Sequence, residues 1–350
     1  MDPLLPDDKG RCPLHEAIRR NDKAAIEAWL QQGMKVDGRL RPDEPTPLQM
    51  AIEAKNFELV TLFTVYGADL LMKTEGRNAY HYAATATPGI MEYLLQQPAR
   101  AGAEAMYTEK SRQWSPLRIA LHEGDRRMTE VLLDYGIDVN ERNDNGETAL
   151  YFLMGNRGSR ETALPLVRLL IDRGADIGAK AANYWDETPL FAAVQDQFTD
   201  AVRLLLDLGC DAKEKNHQGD TLLHAAALTW DAKTVQMLLD HGAVLEEMNR
   251  IGRTALHIAA HANRLEVVKT LLAAGADPFA GDRKGQTPDD LCPADFQKNV
   301  HREIIRKQME LEAKHMTHPH RTRDLPRDLH HRPARPQVKN RSSRHWENGR

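Results

Sequence analysis

The chain of 350 residues has 47 lysine and arginine residues against 51 acidic ones, and 41% of its residues are hydrophobic. It has no apolar run of about 18 residues, which argues against a membrane-spanning helix. Its beginning, MDPLLPDDKGRC, lacks a basic segment followed by an apolar one, so we expect no secretory signal. The three cysteines, Cys12, Cys210 and Cys292, form no C-x-x-C pair. We therefore expect a cytoplasmic protein with buried, reduced thiols.

A segment with the same order of residue types recurs along the chain. Its openings are CPLHEA at Cys12, TPLQMA at Thr46, NAYHYA at Asn78, SPLRIA at Ser115, TALYFL at Thr148, TPLFAA at Thr188, TLLHAA at Thr221, TALHIA at Thr254 and TPDDLC at Thr287. Half of the steps between them are 33 residues long, and the others range from 32 to 40. A period in the low thirties is typical of a helical solenoid. The openings define units 1 to 9.

The copy from Thr254 to Asp277 predicts two short helices. Thr254 suits an N-cap, because its hydroxyl can accept a hydrogen bond from the first turn. Leu256 and Ala259 then lie on one face of the first helix. Gly275 ends the second helix, where a left-handed residue is expected. The apolar stripe of that second helix consists of Leu265, Val267, Val268, Leu271 and Leu272.

The period of 33 residues and the T-P-L-H-x-A opening resemble the ankyrin repeat, from roughly Lys9 to Lys314. The resemblance implies an all-α solenoid of helix pairs joined by short β-turn fingers. Each finger takes the number of the unit that it leads into, so that finger 4 precedes the opening of unit 4. A helix pair cannot bury both of its faces alone, so neighbouring units must stack and share one core. We expect a leader over residues 1–8, repeats over 9–293 and a C-terminal capping helix over 294–316.

Residues 317–350 are predicted to be a disordered tail rich in arginine and histidine, because they contain few apolar residues. From Lys314 onward the chain carries a net charge of +7, so the remainder carries −11 of the total of −4. The tail histidines could gather a divalent metal weakly, but solvated disorder is the favoured interpretation. We predict no metal site and no cofactor.

Four histidines recur as the fourth residue of an opening, at His15, His81, His224 and His257. The resemblance implies a structural role, in which each bonds the nearby threonine hydroxyl and backbone. In the other units this place is taken by Gln49, Arg118, Tyr151, Phe191 and Asp290. We expect the bonding to be weaker there.

Ankyrin proteins generally vary exposed residues of the fingers and of the first-helix ends to bind partners. The predicted contact residues in the fingers are Arg112, Trp114, Tyr184, Trp185, His217 and Arg250. Those at the ends of the first helices are His122, Gln195, Trp230 and His261. Tryptophan and arginine are frequent hot-spot residues. The alternative is that the aromatic rings fold onto neighbouring repeats and seal irregular joints.

Two insertions interrupt the period, QQPARAGAEAMYTEKSRQW after Leu95 and GNRGSRET within unit 5. The second has glycines but no Lys-Ser/Thr pair to bind phosphate, and H-E-x-x-H and G-x-S-x-G do not occur. We therefore predict no enzyme, no small-molecule substrate and no membrane or nucleic-acid partner. The favoured function is a monomeric scaffold, an adaptor or inhibitor, that binds a protein with a basic face on its concave surface. The alternative is a bacterial effector secreted into a host cell, with the basic tail as its export signal.

Overall fold

The computed structural model describes residues 12–39, 43–97, 114–155, 160–182, 186–229, 231–292 and 297–317, together with Pro3 and Arg41. Within these residues the structure is helical, without strands. The helix pairs of units 1 to 8 are α1 Pro13–Arg19 and α2 Lys23–Gln31; α3 Pro47–Glu53 and α4 Phe57–Val65; α5 Ala79–Ala83 and α6 Pro88–Leu95; α7 Pro116–Glu123 and α8 Arg126–Asp134; α9 Ala149–Gly155 and α10 Arg160–Asp172; α11 Pro189–Gln195 and α12 Thr199–Asp207; α13 Leu222–Leu228 and α14 Ala232–Asp240; α15 Ala255–His261 and α16 Leu265–Ala273.

The helices stack in two layers, which confirms the predicted all-α solenoid. Each first helix packs against the first helix of the next unit, from α1 through α15, and second helices such as α6 and α8 or α14 and α16 pack in the same way. A single continuous cluster of buried apolar side chains extends from Cys12 to Ile304. Within the described residues, no helix is long and apolar enough to span a membrane.

Helix starts follow the predicted capping chemistry. The Thr46 hydroxyl accepts a hydrogen bond from the Gln49 backbone N–H at 3.2 Å, and Pro47 occupies the first helical position. Ser115 and Thr188 cap α7 and α11 in the same way. Asp125 caps a second helix, α8, through its carboxylate. Each cap satisfies an N–H that the helix itself leaves unpaired.

Unit 9 departs from the pattern. Its first helix is reduced to the 3-10 helix Asp289–Leu291, and its second is the long helix α17, Gln297–Thr317, which packs against α16. Val300 and Ile304 are the buried residues of α17. The leader apart from Pro3, and the tail after Thr317, lie outside the described residues.

The cysteines are free thiols. Cys12 and Cys292 are buried and Cys210 is half-buried. Burial raises the pKa of Cys210 and of Cys292 to about 11. Both thiols are therefore protonated near neutral pH, in the unreactive form.

The loop after the first helix takes a left-handed conformation in five units. The φ angle is 57° at Asn21, 54° at Lys55, 72° at Gly124, 59° at Gln197 and 54° at Asn263. Only one of these residues is glycine. A residue with a Cβ atom pays roughly 1–2 kcal/mol for this conformation, and asparagine adopts it more readily than glutamine.

Gln197→Gly should therefore raise the free energy of unfolding by about 0.5 kcal/mol, the strain relieved being partly offset by the extra backbone entropy of glycine. Asn263→Gly should change it by less, and Gly124→Ala should lower it by about 1 kcal/mol. Urea midpoints of the three variants measure this order. A destabilised Gln197→Gly variant would contradict it.

Candidate partner-binding face

In units 4 and 6, finger residues adjoin the end of the first helix, and we call the surface of fingers and first-helix ends the finger–helix face. In unit 6, the Gln195 Nε2 at the end of α11 donates a hydrogen bond to the Glu187 Oε1 of finger 6 at 2.9 Å. In unit 4, the ring centroids of Trp114 in finger 4 and His122 in α7 are 5.2 Å apart. The two predicted sets of contact positions therefore adjoin.

In units 7 and 8 a hydrogen-bonded tie beneath this face holds the finger to the preceding first helix. In unit 7, the His224 Nδ1 lies 2.7 Å from the Thr221 hydroxyl and accepts the Thr221 backbone N–H at 3.2 Å. The opposite ring nitrogen, Nε2, lies 2.7 Å from the carbonyl oxygen of Arg253 in finger 8. Because Nδ1 accepts, Nε2 must carry the proton and donate. The ring thus joins a helix start to the next finger.

The same tie occurs in unit 8, where His257 reaches the carbonyl of Gln286 at 3.1 Å. Burial lowers the pKa of both His224 and His257, and it lowers the pKa of His81 in unit 3 to about 4. These rings are therefore neutral near pH 7. A neutral ring is what His224 and His257 require, because each accepts at Nδ1 and donates at Nε2.

The expectation of weaker bonding where histidine is replaced is wrong for Gln49 and Asp290. The Gln49 Oε1 accepts the Thr46 N–H at 2.9 Å, and its Nε2 donates to the Met72 carbonyl at 2.9 Å. Glutamine therefore supplies the same acceptor and donor as the imidazole. Asp290 accepts from both the N–H and the hydroxyl of Thr287, at 3.0 and 2.9 Å.

Arg118 and Phe191 change the bonding instead of copying it. Arg118 has only donors, and its Nη2 donates to the carbonyl of Glu147 in finger 5. The Ser115 hydroxyl therefore donates to the Glu141 carboxylate. Phe191 offers no polar group, and the Thr188 hydroxyl donates to the Glu214 Oε1 at 2.5 Å. A carboxylate from the next finger thus replaces the missing acceptor.

Arg118 itself is fully buried, and among the described residues its Nε and Nη1 have no hydrogen-bond acceptor. Burial lowers the pKa of the guanidinium below its ordinary value, against the opposing charges of Glu141 and Glu147. Its guanidinium carbon lies 5.4 Å from the centroid of the Phe152 ring. This contact places a cation over an aromatic face.

Above Arg118 lies an aromatic cluster of Trp114, His122 and Phe152. Trp114 meets His122 edge to face at 82° and meets Phe152 at 6.0 Å and 79°. It nonetheless remains 37% exposed. The Trp114 ring therefore packs on the neighbouring repeat and also exposes part of its surface. Its position has features of both interpretations, a partner contact and a ring that seals a joint between repeats. Phe152 was not predicted as a site residue, because it lies inside the first helix and not at its end.

The other predicted contact residues that the structure describes lie in units 4, 6, 7 and 8. His122, Gln195, His217, Arg250 and His261 are exposed. Four predicted residues lie outside the described part of the chain, namely Arg112, Tyr184, Trp185 and Trp230. Trp114 and His122 are the pair that the structure brings into ring contact. A role of these residues in binding stays a prediction.

Gln195 is positioned by a buried carboxylate. Glu187 is 3% exposed and accepts hydrogen bonds from Gln195 at 2.9 Å, Asn216 at 3.4 Å and Tyr151. Burial raises its pKa above the ordinary value, and these hydrogen bonds counteract the rise. Within the described residues, no group of three or more His, Cys, Asp or Glu side chains is arranged to hold a metal ion.

Comparison with known proteins agrees with this architecture. The family described as ankyrin repeats (3 copies) matches residues 14–106, 157–249 and 190–282, and a single ankyrin repeat matches 112–144. The B-cell lymphoma 3 protein homolog of Mus musculus is 27% identical over 238 residues, which are 56% of this chain and 51% of that protein. Ankyrin repeat and SOCS box protein 16 of Homo sapiens is 28% identical over 214 residues, 60% of this chain and 46% of that protein.

An ankyrin repeat-containing protein of Treponema pallidum is 32% identical over 135 residues, 37% of this chain and 43% of that protein. The chain therefore spans about half the length, or less, of these relatives.

The carboxyl of Glu214 should make stability depend on pH. Burial raises its pKa from 4.5 to about 7; Asp211 and Glu187 add to the rise, whereas Thr188 and Lys180 counteract it. Between these two values the folded chain holds a proton that the unfolded chain has lost, so stability falls as pH rises through this window. Glu214→Gln should remove that fall and raise stability at about pH 8, by at most roughly 3 kcal/mol.

Denaturant midpoints of the variant and the wild type, measured at about pH 5 and about pH 8, provide the comparison. Glu161→Gln, at an exposed carboxylate on α10, is the matched control and should leave the pH profile unchanged. Equal profiles for Glu214→Gln and wild type would show that Glu214 does not titrate as described.

Proposed function

Because the chain belongs to the ankyrin-repeat family, we propose that it is a non-enzymatic scaffold that binds a protein partner on its finger–helix face. Ankyrin repeats are modules of protein–protein interaction. The observation that carries the proposal is the aromatic cluster of Trp114, His122 and Phe152, in which an exposed tryptophan meets two rings edge to face.

The physical basis is preorganisation. Trp114 is held by two edge-to-face contacts, and Phe152 beneath it is held by the buried Arg118. A ring that is already ordered loses little conformational entropy when a partner covers it. Large, well-supported aromatic side chains are the residues that most often dominate an interface.

Charge around this cluster favours a basic face on the partner. Glu123 and Asp144 are exposed, and Glu147 and Asp196 are half-buried. These carboxylates lie in units 4 to 6, and unit 4 is the one that Trp114 precedes. Complementary charge accelerates encounter and suppresses partners of the same sign. The net charge of −11 outside the tail acts in the same direction at longer range.

The location and oligomeric state of the protein are also part of what we propose. We place the protein in the cytoplasm as a monomeric adaptor or inhibitor, which uses no cofactor, small-molecule substrate, membrane or nucleic acid. The support for an inhibitor is the rigid face itself, which could cover an active cleft without rearranging.

Trp114→Ala should abolish capture of the principal partner when the full chain is used as bait and bound proteins are identified by mass spectrometry. The matched control is Phe57→Ala. Phe57 is another exposed aromatic residue, 47% accessible, which meets Tyr93 edge to face at 5.3 Å but starts a second helix. The control should retain the partner. Both variants must first show wild-type unfolding midpoints.

If the partner survives Trp114→Ala, the aromatic cluster is not the contact and the proposal for this part of the face fails. The same experiment with the double variant Trp185→Ala/Trp230→Ala tests two predicted contact residues outside the described part of the chain.

A second candidate function is an effector exported into a host cell, favoured by the basic segment from Lys314 onward with its net charge of +7. Deleting residues 318–350 separates the two functions. A cytoplasmic scaffold without these residues should bind its partner with unchanged affinity. An effector should still bind but should no longer appear in the medium or host fraction of a secretion assay. Unchanged export of the truncated chain would remove the tail as the signal.

A further inference from the structure

The tips of fingers 8 and 9 carry cations, and the tip of finger 7 carries a histidine. Each tip has the order Asn/Asp-x-x-Gly, and the two central residues are His217-Gln218, Arg250-Ile251 and Arg283-Lys284. Arg250, Arg283 and Lys284 are exposed. The corresponding pair in finger 5 is Asp144-Asn145, without a cation. We call the exposed residues at these three tips the tip strip: His217, Arg250, Ile251, Arg283 and Lys284.

The cations of the tip strip are available, whereas the carboxylates of the same fingers are engaged. No described carboxylate lies within ion-pair distance of Arg250, Arg283 or Lys284. At the finger bases the acidic groups have partners. Glu247 forms an ion pair with Lys215 at 2.5 Å, and Asp282 forms one with Arg253 at 3.5 Å. Asp220 accepts a hydrogen bond from Asn249 at 2.8 Å, and Glu246 accepts one from the Asp277 backbone N–H at 3.0 Å. The positive charge at the tips is therefore not neutralised by these groups.

The spacing of the strip is set by the backbone. The Arg250 N–H donates to the Gln218 carbonyl at 3.4 Å, and the Arg283 N–H donates to the Ile251 carbonyl at 3.3 Å. Finger 9 approaches finger 8 so closely that a Cβ atom at Gly252 would lie 2.7 Å from the Arg283 nitrogen. Successive tips are thus bonded to one another, and their cations stand in a preorganised row.

An apolar side chain stands within this row. Ile251 is 52% exposed at the tip of finger 8, directly after Arg250 in sequence and bonded through its carbonyl to Arg283. Burying such a residue in a complex is favourable, at roughly 25 cal/mol per Å² of apolar area covered. A ligand that matches the strip must therefore combine negative charge with apolar groups.

We propose that the tip strip binds an acidic linear segment of a partner protein, in which carboxylates alternate with apolar side chains. The inference rests on the proposed function, since it names the chemistry of a second contact on the same face. An extended peptide fits, because every second side chain lies on one face, and carboxylates that alternate with apolar groups along that face can meet the linear row of tips. A nucleic acid fits less well, because a dense row of phosphates would also meet the field of a body with a net charge of −11.

The test uses the full chain and a fluorescent synthetic glutamate–leucine peptide, in which pairs of glutamates alternate with pairs of leucines so that each face of the extended peptide carries both, and follows binding by anisotropy. The wild type should bind this peptide, should bind it less as salt is added, and should ignore the peptide with glutamine in place of glutamate. Arg250→Glu/Arg283→Glu should weaken binding at least about tenfold, because two attractive contacts become repulsive. Arg250→Gln/Arg283→Gln should weaken it less.

The matched control is Arg168→Glu/Arg203→Glu, which changes the net charge equally at exposed residues of the second helices α10 and α12. It should retain most of the affinity. Ile251→Ser should weaken binding of the glutamate–leucine peptide but not of a glutamate–serine peptide. Equal losses in the test and control variants, or equal binding of the glutamine peptide, would overturn the proposal. Tighter binding of a single-stranded oligonucleotide than of the acidic peptide would also overturn it.

The partner captured through Trp114 separates this inference from the proposed function. If that partner is lost with Trp114→Ala but binds Arg250→Glu/Arg283→Glu as tightly as the wild type, the scaffold function stands and the tip strip is not a contact. If neither variant affects capture, both proposals fail.

Discussion

The stacking of units depends on ties between the start of a first helix and the finger of the next unit, as in units 2, 7 and 8. Contacts in this fold are made between neighbours, so no distant element corrects a misplaced finger. A side chain at the fourth position of the opening satisfies the helix start and, in His224, His257 and Gln49, also a carbonyl about thirty residues further along the chain. The pairing of one acceptor with one donor is what these units share. Asp290 has no donor, and it stands in unit 9, where the structure describes a terminal helix and no further finger.

Sequence periodicity was sufficient to predict the helix pairs, their caps and the continuous core, because these follow from local spacing of apolar and capping residues. It was not sufficient to predict the partners across units. Glutamine at position 49 looks like a substitution that weakens a histidine network, and only the positions of the Thr46 N–H and the Met72 carbonyl show that its amide fits both. Phe152 was missed for a related reason, since its place as a support for Trp114 depends on how units 4 and 5 pack.

Net charge misled in a similar way. An average of −11 over the body says nothing about where charges lie, and at the finger bases carboxylates are engaged with neighbours while arginines project at the tips. The finger–helix face is consequently polarised along the solenoid, with carboxylates in units 4 to 6 and cations at the tips of fingers 8 and 9. Such a surface defines a direction for any partner that spans it, because a reversed orientation would place like charges together.

The close approach at Gly252 has a consequence for the shape of the whole molecule. Fingers 8 and 9 are each hydrogen-bonded to the finger before them. The distance between two tips therefore helps to determine the local curvature of the stack. A side chain at this one position would push finger 9 away from finger 8 while the helices of both units kept their own packing. Unit 9, which follows this joint, would then tilt relative to unit 8. In a stack of this kind, a single methyl group can therefore alter the arc on which binding residues are arranged, and an evolving scaffold can refit its curvature to a new partner without rebuilding any repeat.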